Sequence, residues 1–330
     1  MPKCLHRYKT MRIIVEFASM EKSQTKPNLY LLLVLVGISL GDSKHRNGID
    51  LTGLGDEMFG SPDEKTTGAL VAAYNKNSKQ NPEELGTYLE GDILVPLSYK
   101  YSRNGILEMS SRWPRGVVPY EIEGSFSTHD LDQINQVFAE YHKRTCVQFK
   151  PRAKEEDYIA IVSRMSGCSS PIGRIGGRQE VNLQLPGCLR RIGTAIHEVM
   201  HSLGFFHEQN RHERDSYVKL LSENVRPGRM KNFLKYNSSQ ETGFGVEYDY
   251  ASVMHYSPKS FSFNGQPTLK AVHNTPEARI MGQRVGFSPS DVRKINAMYQ
   301  CKLFRKCKVF GKHHAHKHCK TLWLHVSNHK

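Results

Sequence analysis

No apolar segment of the sequence is long enough to cross a bilayer. The longest apolar run covers residues 29–40, about twelve residues, whereas a transmembrane helix needs roughly twenty. This length, with the small residues Ser39 and Gly41 at its end, is typical of a secretory signal peptide. We therefore expect residues 1–41 to be a signal peptide, which initiation at Met20 would shorten, and the protein to be secreted and extracellular without a membrane span.

The sequence also lacks any Cys-x-x-Cys pair, which argues against a cysteine-based zinc site. One of its seven cysteines, Cys4, precedes the apolar run and would be removed with the signal peptide, so six remain for an oxidising compartment. An even number predicts up to three disulfides, and the spacing alone does not choose among the fifteen available pairings. The six are Cys146, Cys168, Cys188, Cys301, Cys307 and Cys319.

The middle of the chain has no large excess of positive or negative charge. The formal net charge is +14, but residues 302–330 alone hold eight Lys or Arg and no acidic residue, and residues 1–41 are also basic. Because residues 104–301 are nearly balanced, we expect no nucleic-acid partner for the folded part. The Lys- and His-rich tail 302–330 is either a solvated extension or a site for an anionic glycan.

Sustained hydrophobic periodicity is missing from residues 42–103, which indicates a pro-segment or a linker without its own core. From Trp113 onward, segments typical of strands and helices follow one another without regular alternation, which predicts an α+β domain over residues 104–301. The predicted strands are residues 117–122, residues 158–162 and a half-exposed strand with Val181, Leu183 and Leu185; the predicted helices cover residues 131–141 and begin at the cap Ser288-Pro289-Ser290-Asp291.

The strongest chemical signal is the segment His197-Glu198-Val199-Met200-His201-Ser202-Leu203-Gly204-Phe205-Phe206-His207. His197 and His201 are four residues apart, so a helix presents both imidazoles on one face to one metal ion. Gly204 can adopt a left-handed conformation, end the helix and bring His207 back to the same ion. Three imidazoles with a fourth position open for water are typical of catalytic zinc, although copper or cobalt would also bind.

The extended motif resembles that of the metzincins, and several distant segments are similar to the astacin family over residues 104–301. This resemblance implies a metzincin-type zinc protease domain with an N-terminal twisted sheet plus helices, an active-site helix and a less regular C-terminal half. The segments that carry it are Trp113-Pro114, Val118-Pro119-Tyr120, residues 172–177, Glu208-Gln209-Asn210-Arg211, the Met-turn Ser252-Val253-Met254-His255-Tyr256, Met281-Gly282-Gln283-Arg284 and Tyr299-Gln300-Cys301.

The resemblance implies a zinc metalloendopeptidase, a hydrolase that cleaves protein or peptide substrates with one zinc ion per catalytic domain. His197, His201 and His207 would bind the zinc, and Glu198 would be the general base on a zinc-activated water. Tyr256 would donate a hydrogen bond to the oxyanion. Met254 would pack beneath the metal. The implied disulfides are Cys146–Cys301 and Cys168–Cys188, which leaves Cys307 and Cys319 to pair in the tail.

Latency is implied by Glu90-Gly91-Asp92-Ile93, which resembles the family's pro-segment motif. In that motif an aspartate occupies the place of the water on zinc, so residues 42–103 would be the pro-segment of a zymogen and Asp92 its switch.

Activation would require a trypsin-like protease that cuts after Arg103. The new amino group of Asn104 would then turn inward toward Glu208. Cleavage after Arg112 or Arg115 is the alternative, and it would remove part of the matched start.

Two other interpretations fit parts of the sequence. A catalytically silent secreted binding protein would use the basic His-rich tail, but it does not explain why Glu198 and all three histidines are intact. A peptidase restricted to one egg-envelope, cuticle or seminal substrate fits the same motifs.

Asn237-Ser238-Ser239 is a glycosylation sequon, so we expect a glycan at Asn237.

Overall fold

The computed structural model describes residues 63–95 apart from Lys76 and Lys79, together with residues 109–236 and 243–302. All of them belong to the compact unit that spans residues 45–330. The predicted signal segment, Arg103, Asn104, the sequon at Asn237 and the tail beyond Lys302 lie outside the described residues. Within those ranges, no helix combines the length and the apolar character that a membrane crossing requires.

A six-stranded sheet forms the N-terminal half, with the strand order β1-β5-β6-β4-β2-β3. The pairs β2–β3, β2–β4, β4–β6 and β1–β5 are parallel, whereas β5 runs antiparallel to β6. The edge strand β1 comes from the predicted pro-segment. The strands are β1 Ile93–Leu94, β2 Val117–Ile122, β3 Gln148–Pro151, β4 Tyr158–Val162, β5 Cys168–Pro171 and β6 Arg178–Leu183.

Two of the three predicted strands, residues 117–122 and 158–162, are confirmed as β2 and β4. The third predicted strand is also present, with Val181 and Leu183 in β6, but its end and its exposure differ from the prediction. β6 is Arg178–Leu183 and largely buried, and Leu185 lies beyond it. Asn182 is buried in this strand because its amide group donates to the backbone oxygens of Arg164 and Gly167. A hydrogen-bonded side chain can be buried at low cost, which an alternation of polar and apolar residues does not reveal.

Four α-helices are described: α1 Ala69–Ala72, preceded by a π-helical turn over Glu64–Gly68, α2 Thr128–Arg144, α3 Ile192–Ser202 and α4 Pro289–Met298. α2 and α4 each begin with a capping box, formed by Ser127 with Asp130 and by Ser288 with Asp291, which confirms the predicted start of α4. The apolar face of α2 is buried as predicted, and its Tyr141 hydroxyl donates to the backbone oxygen of Ile196 in α3.

The C-terminal half is less regular, in agreement with the predicted fold class. It contains short 3₁₀ turns and a two-stranded antiparallel sheet, β7 Val218–Leu220 with β8 Leu269–Ala271. A second apolar cluster fills it, with Phe233, Tyr256 and Phe261 among its members.

Two disulfides are present among the described cysteines. Cys146–Cys301 joins the segment before β3 to the segment after α4, and Cys168–Cys188 joins β5 to the turn before α3. These are the pairs that the resemblance implies. Both hold elements around the helix that carries the histidine motif.

Candidate active site

The three histidines predicted to bind zinc lie at the end of α3 and in the turn that follows it. α3 is buried on every side, and its apolar residues Ile196, Val199 and Met200 belong to the main core. Gly204 has φ +112, a conformation that residues with a Cβ rarely adopt, and the helix ends just before it. The chain therefore turns back at Gly204, as the sequence predicts.

The side chains of the three histidines converge in the interior. The Nε2 atom of His197 lies 3.1 Å from that of His201 and 3.2 Å from that of His207, and all three residues are at most 1% exposed. Asp92 joins them: its Oδ2 atom lies 3.1 Å from His197 Nε2 and 3.3 Å from His207 Nε2. The ligand atoms of these four residues all lie within 4.8 Å of one another, so together they can hold a metal ion.

The outer nitrogen of each imidazole has a fixed hydrogen-bond acceptor. Nδ1 of His197 donates to the backbone oxygen of Val253 at 2.8 Å, and Nδ1 of His201 donates to that of Phe205 at 2.6 Å. Because a carbonyl only accepts, the proton of these two rings sits on Nδ1 and the lone pair of Nε2 faces the cluster. This is the tautomer that binds a metal, and the donor set therefore fits zinc.

The third imidazole has an acidic partner. Nδ1 of His207 donates to the Glu90 carboxylate at 2.7 Å. Burial lowers the pKa of His197 well below its usual value and also lowers that of His201, so both are neutral. Burial acts in the same direction on His207, but the Asp92 and Glu90 carboxylates outweigh it and raise its pKa to about 9.

Two buried carboxylates of the site have opposite pKa shifts. Burial acts to raise the pKa of Asp92, but the charge of His207 and the contacts with the three imidazoles hold it well below its usual value. Burial raises the pKa of Glu198 well above its usual value, and the Asp92 charge adds to this. Both carboxylate oxygens of Glu198 are buried and have no hydrogen-bond partner among the residues described. Such a pair of environments is typical of an active site.

Tyr256 and Met254 lie against this centre. The Tyr256 ring centroid is 4.6 Å from that of His207, and its hydroxyl donates to the backbone oxygen of Glu90 at 2.5 Å. Met254 is buried, and its backbone oxygen accepts from the Glu208 N–H at 3.0 Å. The predicted Met-turn thus contacts the histidine segment through backbone as well as side-chain atoms.

Glu208, the predicted partner of the Asn104 amino group, is already paired with cations in this structure. Its carboxylate accepts from Arg211 at 2.9 Å and from the Lys294 ammonium group, and all three side chains are about 5% exposed. Burial acts to raise the pKa of Glu208, but these two charges lower it below its usual value.

The segment before Asp92 covers the site through buried polar contacts. The Glu83 carboxylate pairs with the Arg284 guanidinium at 2.6 Å, and both side chains are at most 1% exposed. Glu84 accepts from the backbone N–H of Ser257 at 2.6 Å, and the Asn81 amide donates to the backbone oxygen of Gly282 at 3.0 Å. Residues 81–94 therefore pack against residues 257–284 and reach the histidine cluster at Asp92.

Glu83, Glu84, Glu90 and Arg284 were not predicted from the sequence as site residues. Glu90 and Arg284 lie within the motifs Glu90-Gly91-Asp92-Ile93 and Met281-Gly282-Gln283-Arg284, and this position is the sequence signal that could have identified them. For Glu83 and Glu84 no local pattern marks burial, because an acidic pair after Pro82 is equally typical of an exposed turn.

Gly193, in the first turn of α3, is required by the close approach of another segment. Its N–H donates to the backbone oxygen of Arg284 at 3.1 Å, and an added Cβ would lie 2.2–2.6 Å from Arg284 backbone atoms. We expect Gly193→Ala to destabilise the fold by about 1–3 kcal/mol, because α3 and the Arg284 backbone must separate. Thermal unfolding followed by circular dichroism measures this, and an unchanged midpoint would contradict the packing described.

Three imidazoles on a helix and the turn after it, with a glutamate next to the first of them, are the metal-binding arrangement of the zinc metallopeptidases. Comparison with known proteins specifies the class. The model of the astacin peptidase family matches residues 105–300, and the chain belongs to this family.

Individual relatives agree with this assignment. The chain is 41% identical over 229 residues to zinc metalloproteinase nas-13 of Caenorhabditis elegans, with 69% of this chain and 49% of nas-13 covered. It is 42% identical over 226 residues to nas-4 of the same organism, with 66% and 70% covered. The chain thus spans about half the length of nas-13.

A solved structure also matches. High choriolytic enzyme 1, a hatching-enzyme zinc protease from the medaka fish Oryzias latipes, has a TM-score of 0.53 and 36% sequence identity. The match covers 58% of this chain and 93% of the fish enzyme.

Proposed function

We propose that the chain is a secreted zinc metalloendopeptidase, synthesised as a latent precursor, that hydrolyses peptide bonds in protein or peptide substrates. The observation that carries this proposal is the position of Glu198, a buried carboxylate without a hydrogen-bond partner among the described residues, next to three converging histidines. Burial of an unpaired carboxylate costs free energy, and a silent binding protein has no use for it. The peptidase is therefore favoured over the silent binding protein.

In this proposal His197, His201 and His207 would hold one zinc ion, and the buried side chain of Met254 would be a packing residue of the site. When bound, zinc supplies Lewis-acid polarisation of the scissile carbonyl and of a water molecule. Glu198 takes the proton of the attacking water and passes it to the leaving amine.

Tyr256 is the proposed hydrogen-bond donor to the oxyanion of the tetrahedral intermediate. In the latent chain its hydroxyl is engaged by the backbone oxygen of Glu90 at 2.5 Å, so this bond must break before the phenol can reach a substrate. The pro-segment therefore withholds a catalytic donor in addition to covering the histidines.

Latency in this proposal rests on residues 42–103, with Asp92 in the metal-facing position of the site. The catalytic domain would be residues 104–301, preceded by the signal peptide 1–41 and followed by the tail 302–330. A trypsin-like protease would cut after Arg103, and the Asn104 amino group would then join the cations already at Glu208.

Cleavage after Arg112 is disfavoured by its surroundings. The Arg112 guanidinium donates to the backbone oxygen of Met298 at 3.0 Å and lies 5.7 Å from the centre of the Phe244 ring. The next residue, Trp113, is 2% exposed. A protease would have to unfold this corner to reach the bond, which favours Arg103 over Arg112 as the activation site.

The remaining parts of the proposal concern the chain outside the described residues. The basic tail is proposed to contact anionic glycans, with Cys307 and Cys319 able to pair within it. Asn237 is proposed to carry a glycan. No nucleic-acid partner is proposed, because the charge of the middle of the chain is nearly balanced.

Metal removal tests the proposed activity. The full chain, secreted by a eukaryotic host and activated with trypsin, is expected to cleave casein and to lose this activity in 1,10-phenanthroline. Activity should return when zinc is added, because the histidines bind the ion reversibly. The non-chelating isomer 1,7-phenanthroline is the control. A zinc-loaded, trimmed and natively folded protein that cuts nothing would overturn the proposal.

A further inference from the structure

Asp291, in the first turn of α4, is fully buried and makes contacts beyond its own helix. Its Oδ1 atom accepts from the Ser252 hydroxyl at 2.6 Å. Its Oδ2 atom accepts from the Val253 N–H at 2.9 Å and from the Ser288 N–H at 2.9 Å. Two of its three donors therefore belong to the Met-turn, 38–39 residues earlier in the chain.

Helix capping explains only the Ser288 contact. The capping box of α2 provides the comparison, because Asp130 there has the same position relative to Ser127. The Asp130 carboxylate accepts from the Ser127 N–H at 2.9 Å and from its hydroxyl at 2.6 Å, in an exposed position. Because the Asp291 carboxylate is fully buried, it loses its hydration, which costs free energy. Helix capping alone does not require this cost, since Asp130 caps α2 in an exposed position.

The turn that Asp291 holds contacts the histidine segment at two points. The backbone N–H of Val253 donates to Asp291, and the backbone oxygen of the same residue accepts from Nδ1 of His197 at 2.8 Å. In the next residue, the Met254 N–H donates to the Ser252 hydroxyl oxygen at 3.1 Å and its oxygen accepts from the Glu208 N–H at 3.0 Å. A shift of this turn must therefore move the acceptor that sets the orientation of the His197 ring.

We propose that Asp291 is a positioning residue for the metal centre: it fixes the Ser252–Met254 turn, and the turn orients His197 through the Val253 carbonyl. The proposal rests on the proposed function, since it takes His197 as a zinc ligand. In this proposal α4 contributes no metal ligand but influences the metal affinity of the site through Asp291. Partners one step outside the ligands typically account for a 10- to 100-fold change in metal affinity.

The test compares Asp291→Ala with Asp130→Ala in the full-length precursor. Both variants lose a capping box, but only the first releases the Met-turn. The zinc dissociation constant, measured by competition with a chromophoric chelator at a temperature where both are folded, is expected to rise about tenfold or more for Asp291→Ala. It should stay within about twofold of the parent for Asp130→Ala. The visible spectrum of the cobalt-substituted protein, which reports ligand geometry, should change only for Asp291→Ala.

Equal zinc affinity and equal cobalt spectra in the two variants would overturn the proposal. If Asp291→Ala does not fold, Ser252→Ala takes its place, because it removes a hydroxyl that contacts both Asp291 and the Met254 N–H. An unchanged dissociation constant for Ser252→Ala would then count against the inference. Failure of the parent chain to bind zinc would instead overturn the proposed function, which keeps the two failures distinguishable.

Discussion

Glu198→Gln is expected to lower kcat of the trypsin-activated enzyme by a factor of about 100 to 10,000, the usual contribution of general acid–base catalysis. Glutamine has nearly the same volume as glutamate, so the packing of α3 is preserved. Its neutral amide cannot take a proton from water. Because Glu198 is not among the four residues whose ligand atoms converge, zinc binding should be unaffected.

The measurement combines kcat on a quenched fluorescent peptide with the zinc content of the same samples. Glu140→Gln is the matched control, since Glu140 lies on the outer face of α2 and pairs only with Arg144 in the contacts described. It should retain the kcat of the parent. A Glu198→Gln enzyme with full zinc content and parental kcat would remove Glu198 from the mechanism.

Asp92→Ala is expected to raise the activity of the uncut precursor on a small peptide by about 10- to 100-fold over that of the parent precursor. The Asp92 carboxylate lies 3.1–3.7 Å from the Nε2 atoms of all three histidines and so occupies the metal-facing position. Loss of one contact to a charged group, about 1.5–3 kcal/mol, corresponds to this range. Without the carboxylate, the metal-facing position becomes open to water. Hydrolysis of casein should remain low, because residues 80–94 still obstruct a large substrate.

This second experiment omits trypsin, and mass spectrometry confirms that the chain is uncut. Asp63→Ala is the control: Asp63 belongs to the same segment, but its carboxylate accepts from the Thr66 N–H at the start of the helical turn and does not reach the site. It should leave the precursor silent. An Asp92→Ala precursor that is equally silent, yet active after cutting, would show that Asp92 is not the switch.

The sequence predicted the parts of the site that short-range geometry determines. His197 and His201 share a helix face because four residues make about one turn, and Gly204 is the residue that tolerates the turn after them. Predictions of this kind depend on residues close together in the chain. The capping box at Ser288 and Asp291 was predictable for the same reason.

The buried contacts of the pro-segment were not predictable in this way. Glu83 and Arg284 are 201 residues apart, and neither has a neighbour that marks it as buried. The same holds for Asn81 and Gly282. An acidic residue in a segment without periodicity is read as exposed unless its partner is known, so only the three-dimensional structure shows that this segment docks.

The short strand β1 has a consequence for how the proposed enzyme is switched on. It contributes only two residues, Ile93 and Leu94, to the sheet. The segment before it is attached to the rest of the domain by side-chain contacts such as that of Glu83 with Arg284. While the chain is intact, these contacts form within one molecule. After the proposed cleavage at Arg103, the same contacts would join two molecules, and their occupancy would follow the concentration of both. We therefore expect a freshly cut sample to stay inhibited when concentrated and to gain activity on dilution.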